Sequence, residues 1–255
     1  MLVILSPTKI QNFEPQQVTL LHTQPEFIDE ARYLVALMRE LAPSELSELL
    51  EINSNLTQLN IDRYVKWHAP FTTVNAKQAV LTFDGEAFRG LNPKTFTEDD
   101  FSYAQDHLRI LSGLYGVLRP LDLIQPYRLE VSSKLRNEQG NDLYAFWQEK
   151  VTRSLINALT TSGGEQTVIN LTSSEYFKTL RFRENNIRWI DFDFLEYQGD
   201  RTKQIVIYTK KARGMMTRFI LKNRITDPED LKGFSDAGYW FEPYMSGENK
   251  FVFVR

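Results

Sequence analysis

Apolar positions follow two rhythms along this chain, one of period two and one of helical spacing. Leu2–Leu5 is a short apolar run halted by Ser6-Pro7, which predicts a buried strand. Phe27, Ala31, Leu34, Val35 and Met38 recur at helical spacing and predict a helix over 27–41. Two shorter helical patterns follow over 44–67. Leu46, Leu49 and Leu50 mark the first, and Leu56, Leu59, Tyr64 and Trp67 the second, with a turn at Asn53-Ser54-Asn55. Ala79–Phe83 reads as a strand. Thr97 before Glu98-Asp99-Asp100 is a capped helix start, and that helix is expected to reach about Leu108. Asn141 or Asp142 opens another helix to about Leu159, ended by Ser162-Gly163-Gly164.

In the second half, Thr167–Leu171 is strand-like and Ser173–Leu180 a short helix, with Ser173 or Ser174 as its cap. Arg188–Tyr197 alternates Trp189, Asp191, Asp193 against Ile190, Phe192, Phe194. Lys203–Lys210 holds Ile205-Val206-Ile207-Tyr208. The two are expected to pair as an antiparallel hairpin with a longer loop at Gln198-Gly199-Asp200-Arg201. Ala212, Met215, Met216, Phe219 and Ile220 then predict an amphipathic helix. Asp227-Pro228 opens a short last helix closed near Gly233, and Phe251–Val254 is a terminal strand. No repeat or Pro/Gly-rich linker divides the chain, so the fold expected is a single α/β (α+β) domain over residues 1–255 with a mixed sheet.

Composition narrows the chemistry. The 255 residues contain no Cys, which excludes disulfides, thiol nucleophiles and thiolate metal sites. His22, His68 and His107 are isolated from one another. Asp191 and Asp193 share a strand face, the usual solvated face of an antiparallel strand. No metal site or cofactor is expected, and no Gly-x-Ser-x-Gly elbow or other recognisable catalytic motif is present. No apolar run approaches the ~20 residues of a membrane span, and the start lacks the basic region of a signal peptide, so a cytoplasmic protein is expected. The net charge is −3, yet residues 178–224 carry 12 Lys and Arg against 5 Asp and Glu. That asymmetry permits a basic face on an acidic protein.

Four segments are candidates for function. Residues 111–128 hold two Gly and two Pro among apolar residues, an irregular segment whose backbone must find partners. Its Ser112, Tyr115, Arg119, Asp122, Tyr127 and Arg128 either satisfy that backbone or line a cleft. Residues 210–220 are expected to open a helix with Lys210, Lys211 and Arg213, where cations oppose the helix dipole unless an anion compensates. Lys211, Arg218 and Lys222 form a stripe beside its apolar face. Ser6-Pro7-Thr8-Lys9 follows a strand and offers a hydroxyl and an ammonium, without the pattern of a P-loop. Ser173 to Lys178, with Tyr176, lies at another strand-to-helix junction.

These motifs resemble the YaaA family of bacterial peroxide-stress proteins. The resemblance rests on Leu5-Ser6-Pro7-Thr8-Lys9, on Phe83 to Leu91, and on Leu111 to Asp122. It continues through Gln125-Pro126-Tyr127-Arg128-Leu129-Glu130, Asp142 to Trp147, Ile169-Asn170-Leu171, Ser174 to Lys178 and Lys210-Lys211-Ala212-Arg213-Gly214. It implies a cytosolic protein that limits hydrogen peroxide damage, associated with lower free iron and less iron-driven damage to DNA and proteins. It also implies an α/β fold with a positively charged cleft, a helix–hairpin–helix element and DNA binding. That element falls on 44–67, where the turn has no Gly to admit a phosphate.

Two functions follow as expectations. The first is a DNA-binding protein of the peroxide response, of weak sequence specificity, contacting phosphates through Lys9, Arg119, Arg128, Lys178, Lys210, Lys211, Arg213 and Arg218. Ser6, Ser112, Tyr115, Asp122, Tyr127 and Tyr176 would line its cleft. The second is an enzyme acting on a nucleotide or other small anionic substrate in the same cleft, with Asp122 as base and Tyr115 as acid.

Overall fold

The apolar run Leu2–Leu5 forms β1, an interior strand of the sheet, with all four side chains buried. In the computed structural model, which describes residues 1–16, 18–161, 166–181 and 187–255, the chain then alternates helices and strands. After β1 come α1 (Ile28–Glu40), α2 (Pro43–Leu50), α3 (Ser54–Lys66), β2 (Lys77–Gln78), α4 (Ala79–Thr82), α5 (Glu86–Leu91) and α6 (Glu98–His107). Next are β3 (Leu108–Ser112), β4 (Gly116–Leu118), β5 (Leu123–Ile124), α7 (Leu143–Thr161), β6 (Thr167–Leu171) and α8 (Ser174–Phe177). The chain closes with β7 (Arg188–Gln198), β8 (Arg201–Lys203), α9 (Val206–Asn223), β9 (Trp240–Phe241) and β10 (Lys250–Val254). The expected stop at Ser162-Gly163-Gly164 lies outside the described residues.

The main sheet runs β4-β3-β1-β6-β7-β10-β9, with β8 paired to the end of β7. Strands β3, β1, β6, β7 and β10 are parallel to their neighbours, and β4 and β9 run antiparallel at the edges. This is the mixed-sheet α/β fold that the residue pattern predicts. Helix α6 packs on β1 and β3, and α9 on β6 and β7 beside it. Phe192 and Phe194 of β7 face inward onto Phe251, Phe253 and Phe234, while Asp191 and Asp193 lie on the half-exposed face. The helix starts follow their local chemistry. Thr97 Oγ1 accepts from the Asp100 amide, and Asp100 accepts from the Thr97 amide in return. Asn53 caps α3 by accepting from Leu56 N–H, and Asp142 accepts from Ala145 N–H at the head of α7. Among the described residues no helix is long and apolar enough to cross a membrane.

Strands β3 and β4 form where the pattern predicts an irregular segment from residue 111, and two further elements differ from it. Ala79–Thr82 is a turn of helix, not a strand; Lys77–Gln78 pairs in extended form with β5, and Phe83 makes a single antiparallel bridge with Gln11. A short, mostly apolar run carries no clear period, so a buried helical turn and a buried strand look alike in sequence. The second difference is larger. β8 ends at Lys203, and Val206-Ile207-Tyr208 begins α9 instead of extending a strand. The hairpin is also tighter, with Gly199 and Asp200 alone between paired Gln198 and Arg201. The apolar residues that suggest a strand at 206–208 are 66%, 52% and 42% exposed, so burial never selects a strand there.

Candidate functional site

The site forms where the sheet connections part. From β1 the chain passes to β3 on one side, and from β6 to β7 on the other, although β1 and β6 are neighbours. Connections that leave adjacent parallel strands in opposite directions open a crevice beyond the carboxyl ends of those strands. Ser6 follows β1 there and Ser173 follows β6. The Ser173 N–H donates to Ser6 Oγ at 2.8 Å, and the Ser6 hydroxyl donates to Ser173 Oγ at 3.3 Å. Ser173 therefore ties the two strand ends together, and its side chain makes no capping hydrogen bond to α8.

The crevice holds a cavity of about 460 Å³. Its walls come from the loop after β1 (Ser6, Thr8, Lys9), the start of α5 (Glu86, Ala87), residues 127–130, α8 with the residue before it (Ser173, Glu175, Tyr176) and α9 (Lys210, Arg213). Each wall is held by a specific contact. Residues 127–130 belong to no helix or strand, and the Tyr64 hydroxyl donates to the Arg128 carbonyl, while Tyr127 exchanges a hydrogen bond with Ser112 at 2.7 Å. A side chain at Gly113 would overlap the Leu129 carbonyl, so Gly is required for that segment to lie so close. Arg213 reaches the cavity because α9 crosses α5 at close range through Gly90 and Gly214.

Four cations and three carboxylates line the cavity. The carboxylates have partners: Glu86 accepts from Arg89 at 2.8 Å, Glu175 from the Ser132 hydroxyl at 2.7 Å, and Glu130 pairs with Lys9 at 3.6 Å. Lys210 and Arg213 have no ion pair among the described residues. The Nε atoms of Arg128 and Arg213 are both buried without a hydrogen-bond partner. Burial lowers the Arg213 pKa from its ordinary value, and the charges of Asp193 and Asp191 oppose that shift. A guanidinium remains charged under such conditions, so the cavity wall presents positive charge with donors to spare.

The structure gathers Ser6, Lys9, Tyr127, Arg128, Tyr176, Lys210 and Arg213 from the sequence-predicted site into this one cavity. It places the others elsewhere. Tyr115 is fully buried, and its hydroxyl accepts from Trp67 Nε1 at 3.0 Å and from the Gln125 amide at 3.2 Å. Ser112 is buried and accepts from the Tyr115 amide at 3.0 Å. Asp122 is 1% exposed, accepts from Thr23 at 2.6 Å and pairs with Arg119 at 3.2 Å. Because β4 runs antiparallel to β3, Arg119 and Asp122 lie toward the amino ends of the parallel strands, away from the crevice. Asp122 and Tyr115 are therefore core braces, not an acid–base pair. Arg218 donates to the Leu91 and Asn92 carbonyls and to Thr95, closing the end of α5. Lys178 and Lys211 are exposed outside the cavity. The argument for an anion at a basic helix start also lapses, since Lys210 and Lys211 sit beyond the first turn of α9.

Helices α2 and α3 form the close pair expected at 44–67. The Glu51 and Ile52 amides at their turn donate back to α2 carbonyls. A hollow of about 810 Å³ beside them is lined by Glu40, Glu45, Glu48 and Glu51 and shares Lys9, Glu130 and Glu175 with the cavity. Lys134 and Arg136 also line the hollow, and its carboxylates outnumber its cations, which disfavours a phosphate there. Asp191 accepts from Asn170 at 2.6 Å and Asp193 pairs with Lys250 at 2.7 Å. Among the described residues no group of three or more His, Asp or Glu is placed to hold a metal ion. Sequence reasoning missed Glu86, Glu130 and Glu175 as wall residues. Their motifs contain them, but only the folded packing shows which side they face.

The profile of the peroxide stress protein YaaA family matches residues 1–245. A match over nearly the full chain includes every wall of the crevice, from the loop after β1 to Arg213 of α9. The chain thus belongs to the family of peroxide stress proteins named for YaaA.

Proposed function

We propose that this protein serves the peroxide response by binding DNA, with an anionic group of the nucleic acid seated in the cavity between β1 and β6. The observation that carries this reading is that Arg128 and Arg213 both line one cavity while the Nε of each is buried without a hydrogen-bond partner. Phosphate oxygens are the acceptors that such donors fit. Exposed Lys9 and Lys210 at the same cavity add charge for the approach of a polyanion. A volume of about 460 Å³ suits one nucleotide, not a duplex, so the rest of the DNA lies outside over α9. Cations set against the backbone release its condensed counterions, ferrous iron included, and so lessen iron-driven damage at the bound site.

A second reading has its own support. A cavity of this volume at the point where sheet connections diverge is where open α/β proteins bind small ligands. On that reading the substrate is a nucleotide or another small anion, oriented by Ser6, Arg128 and Arg213. A mobility-shift titration with the wild type and the Lys210→Glu/Arg213→Glu double variant separates the two. DNA binding abolished in the variant supports the first reading. No DNA binding by either protein, with saturable binding of a mononucleotide, supports the second.

A further inference from the structure

We propose that Glu130 is a specificity-determining residue of the cavity, an internal anion that a bound phosphate must displace from Lys9 and Arg128. The inference deepens the proposed anion site and rests on it. One carboxylate oxygen of Glu130 lies 3.6 Å from Lys9 Nζ and 4.0 Å from Arg128 Nε. The second distance is too long for a hydrogen bond, and Arg128 Nε is left buried without one. Glu130 thus balances the charge of the arginine without satisfying its donor, which is the position a ligand oxygen improves on.

The backbone around Glu130 cannot retreat. The Arg128 carbonyl accepts from Tyr64, the Tyr127 amide donates to Gln11 at 3.2 Å, and Gly113 abuts the Leu129 carbonyl. The carboxylate can move only by rotating its side chain toward the neighbouring hollow, whose wall it also forms. A ligand anion entering the cavity therefore meets a negative neighbour that it must turn aside. One negative charge gains little from exchanging places with Glu130. A pyrophosphate or a nucleotide terminus, with charge enough to engage Lys210 and Arg213 as well, overcomes the repulsion. Glu130 accordingly weakens binding in general and discriminates against weakly charged anions.

The test is calorimetric titration of wild type, Glu130→Gln and Glu130→Asp with inorganic pyrophosphate and inorganic phosphate, alongside labelled DNA. Glu130→Gln is expected to bind pyrophosphate on the order of tenfold more tightly, and to gain more for phosphate than for pyrophosphate. Glu130→Asp, which keeps the charge but withdraws it, is expected to fall between. Glu149→Gln removes a remote surface charge on α7 and is expected to change affinity less than about twofold. Thermal melting establishes that each variant is folded. Unchanged or weaker pyrophosphate binding in folded Glu130→Gln overturns the proposal, as does an equal gain in Glu149→Gln. Absence of pyrophosphate binding in every protein overturns it as well. Tighter pyrophosphate binding with no DNA binding by any protein retains Glu130 and removes the DNA reading. DNA binding by the wild type that does not tighten in Glu130→Gln retains the DNA reading and removes Glu130.

Discussion

Gly90 and Gly214 each lie against the backbone of the other's helix where α5 crosses α9. A Cβ on Gly214 would overlap the Ala87 carbonyl, and one on Gly90 would overlap the Lys211 carbonyl. Backbone against backbone, the crossing sets how far α9 leans over the crevice, and Arg213 is the residue next to Gly214. Gly214→Ala is expected to destabilise the fold by about 2 kcal/mol or more, since the helices must separate to admit the methyl. It is also expected to weaken DNA binding, because Arg213 moves with the helix. Urea denaturation and an anisotropy titration measure the two effects.

Tyr115 separates scaffold from site. Its hydroxyl serves two buried donors, Trp67 Nε1 and the Gln125 amide, and burial raises its pKa above the ordinary tyrosine value. Tyr115→Phe leaves both donors unpaired and is expected to cost about 1–3 kcal/mol of stability. DNA affinity is expected to stay within twofold of wild type at temperatures well below the melt. A selective loss of binding at full stability would return Tyr115 to the cleft.

Asp100 gives the fold an acid limit. Burial alone would raise its pKa, but hydrogen bonds from Lys222 and the Thr97 amide, together with the Lys222 charge, bring it down to about 2. The group is lower in the folded than in the unfolded chain, so its stabilisation is complete above pH ~4 and fades as pH falls toward ~2. A shift of this size corresponds to about 2 kcal/mol. The stability difference between wild type and Asp100→Asn, measured by urea denaturation, is expected to shrink steadily between pH 4 and pH 2. A difference that is flat across that range contradicts the assignment.

Much of the fold is legible in the sequence because its signals are local. Thr97, Asn53 and Asp142 announce helix starts through side chains that reach only three residues ahead. The start of α9 is not legible. Ile205-Val206-Ile207 has strand propensity, and what makes the segment a helix is tertiary: Thr209 donates to the Phe194 carbonyl at 3.2 Å, and Gly214 docks on α5. The site divides in the same way. Lys9, Arg128 and Arg213 stand out as cations beside strand ends or glycines. The burial of Ser112, Tyr115 and Asp122 depends on how β3, β4 and the connections after each pack against the core, and no period encodes that. Glu130 is invisible as a partner of Lys9, since their approach joins residues from distant parts of the chain.

The most direct measurement is an anisotropy titration of end-labelled DNA with wild type and Arg213→Ala, repeated over a series of salt concentrations. Loss of a buried phosphate contact is expected to lower affinity by about tenfold or more at low salt. It is also expected to flatten the slope of affinity against salt by roughly one released ion. Superimposable curves for the two proteins, in affinity and in salt slope, would contradict an anion seat at the ends of β1 and β6.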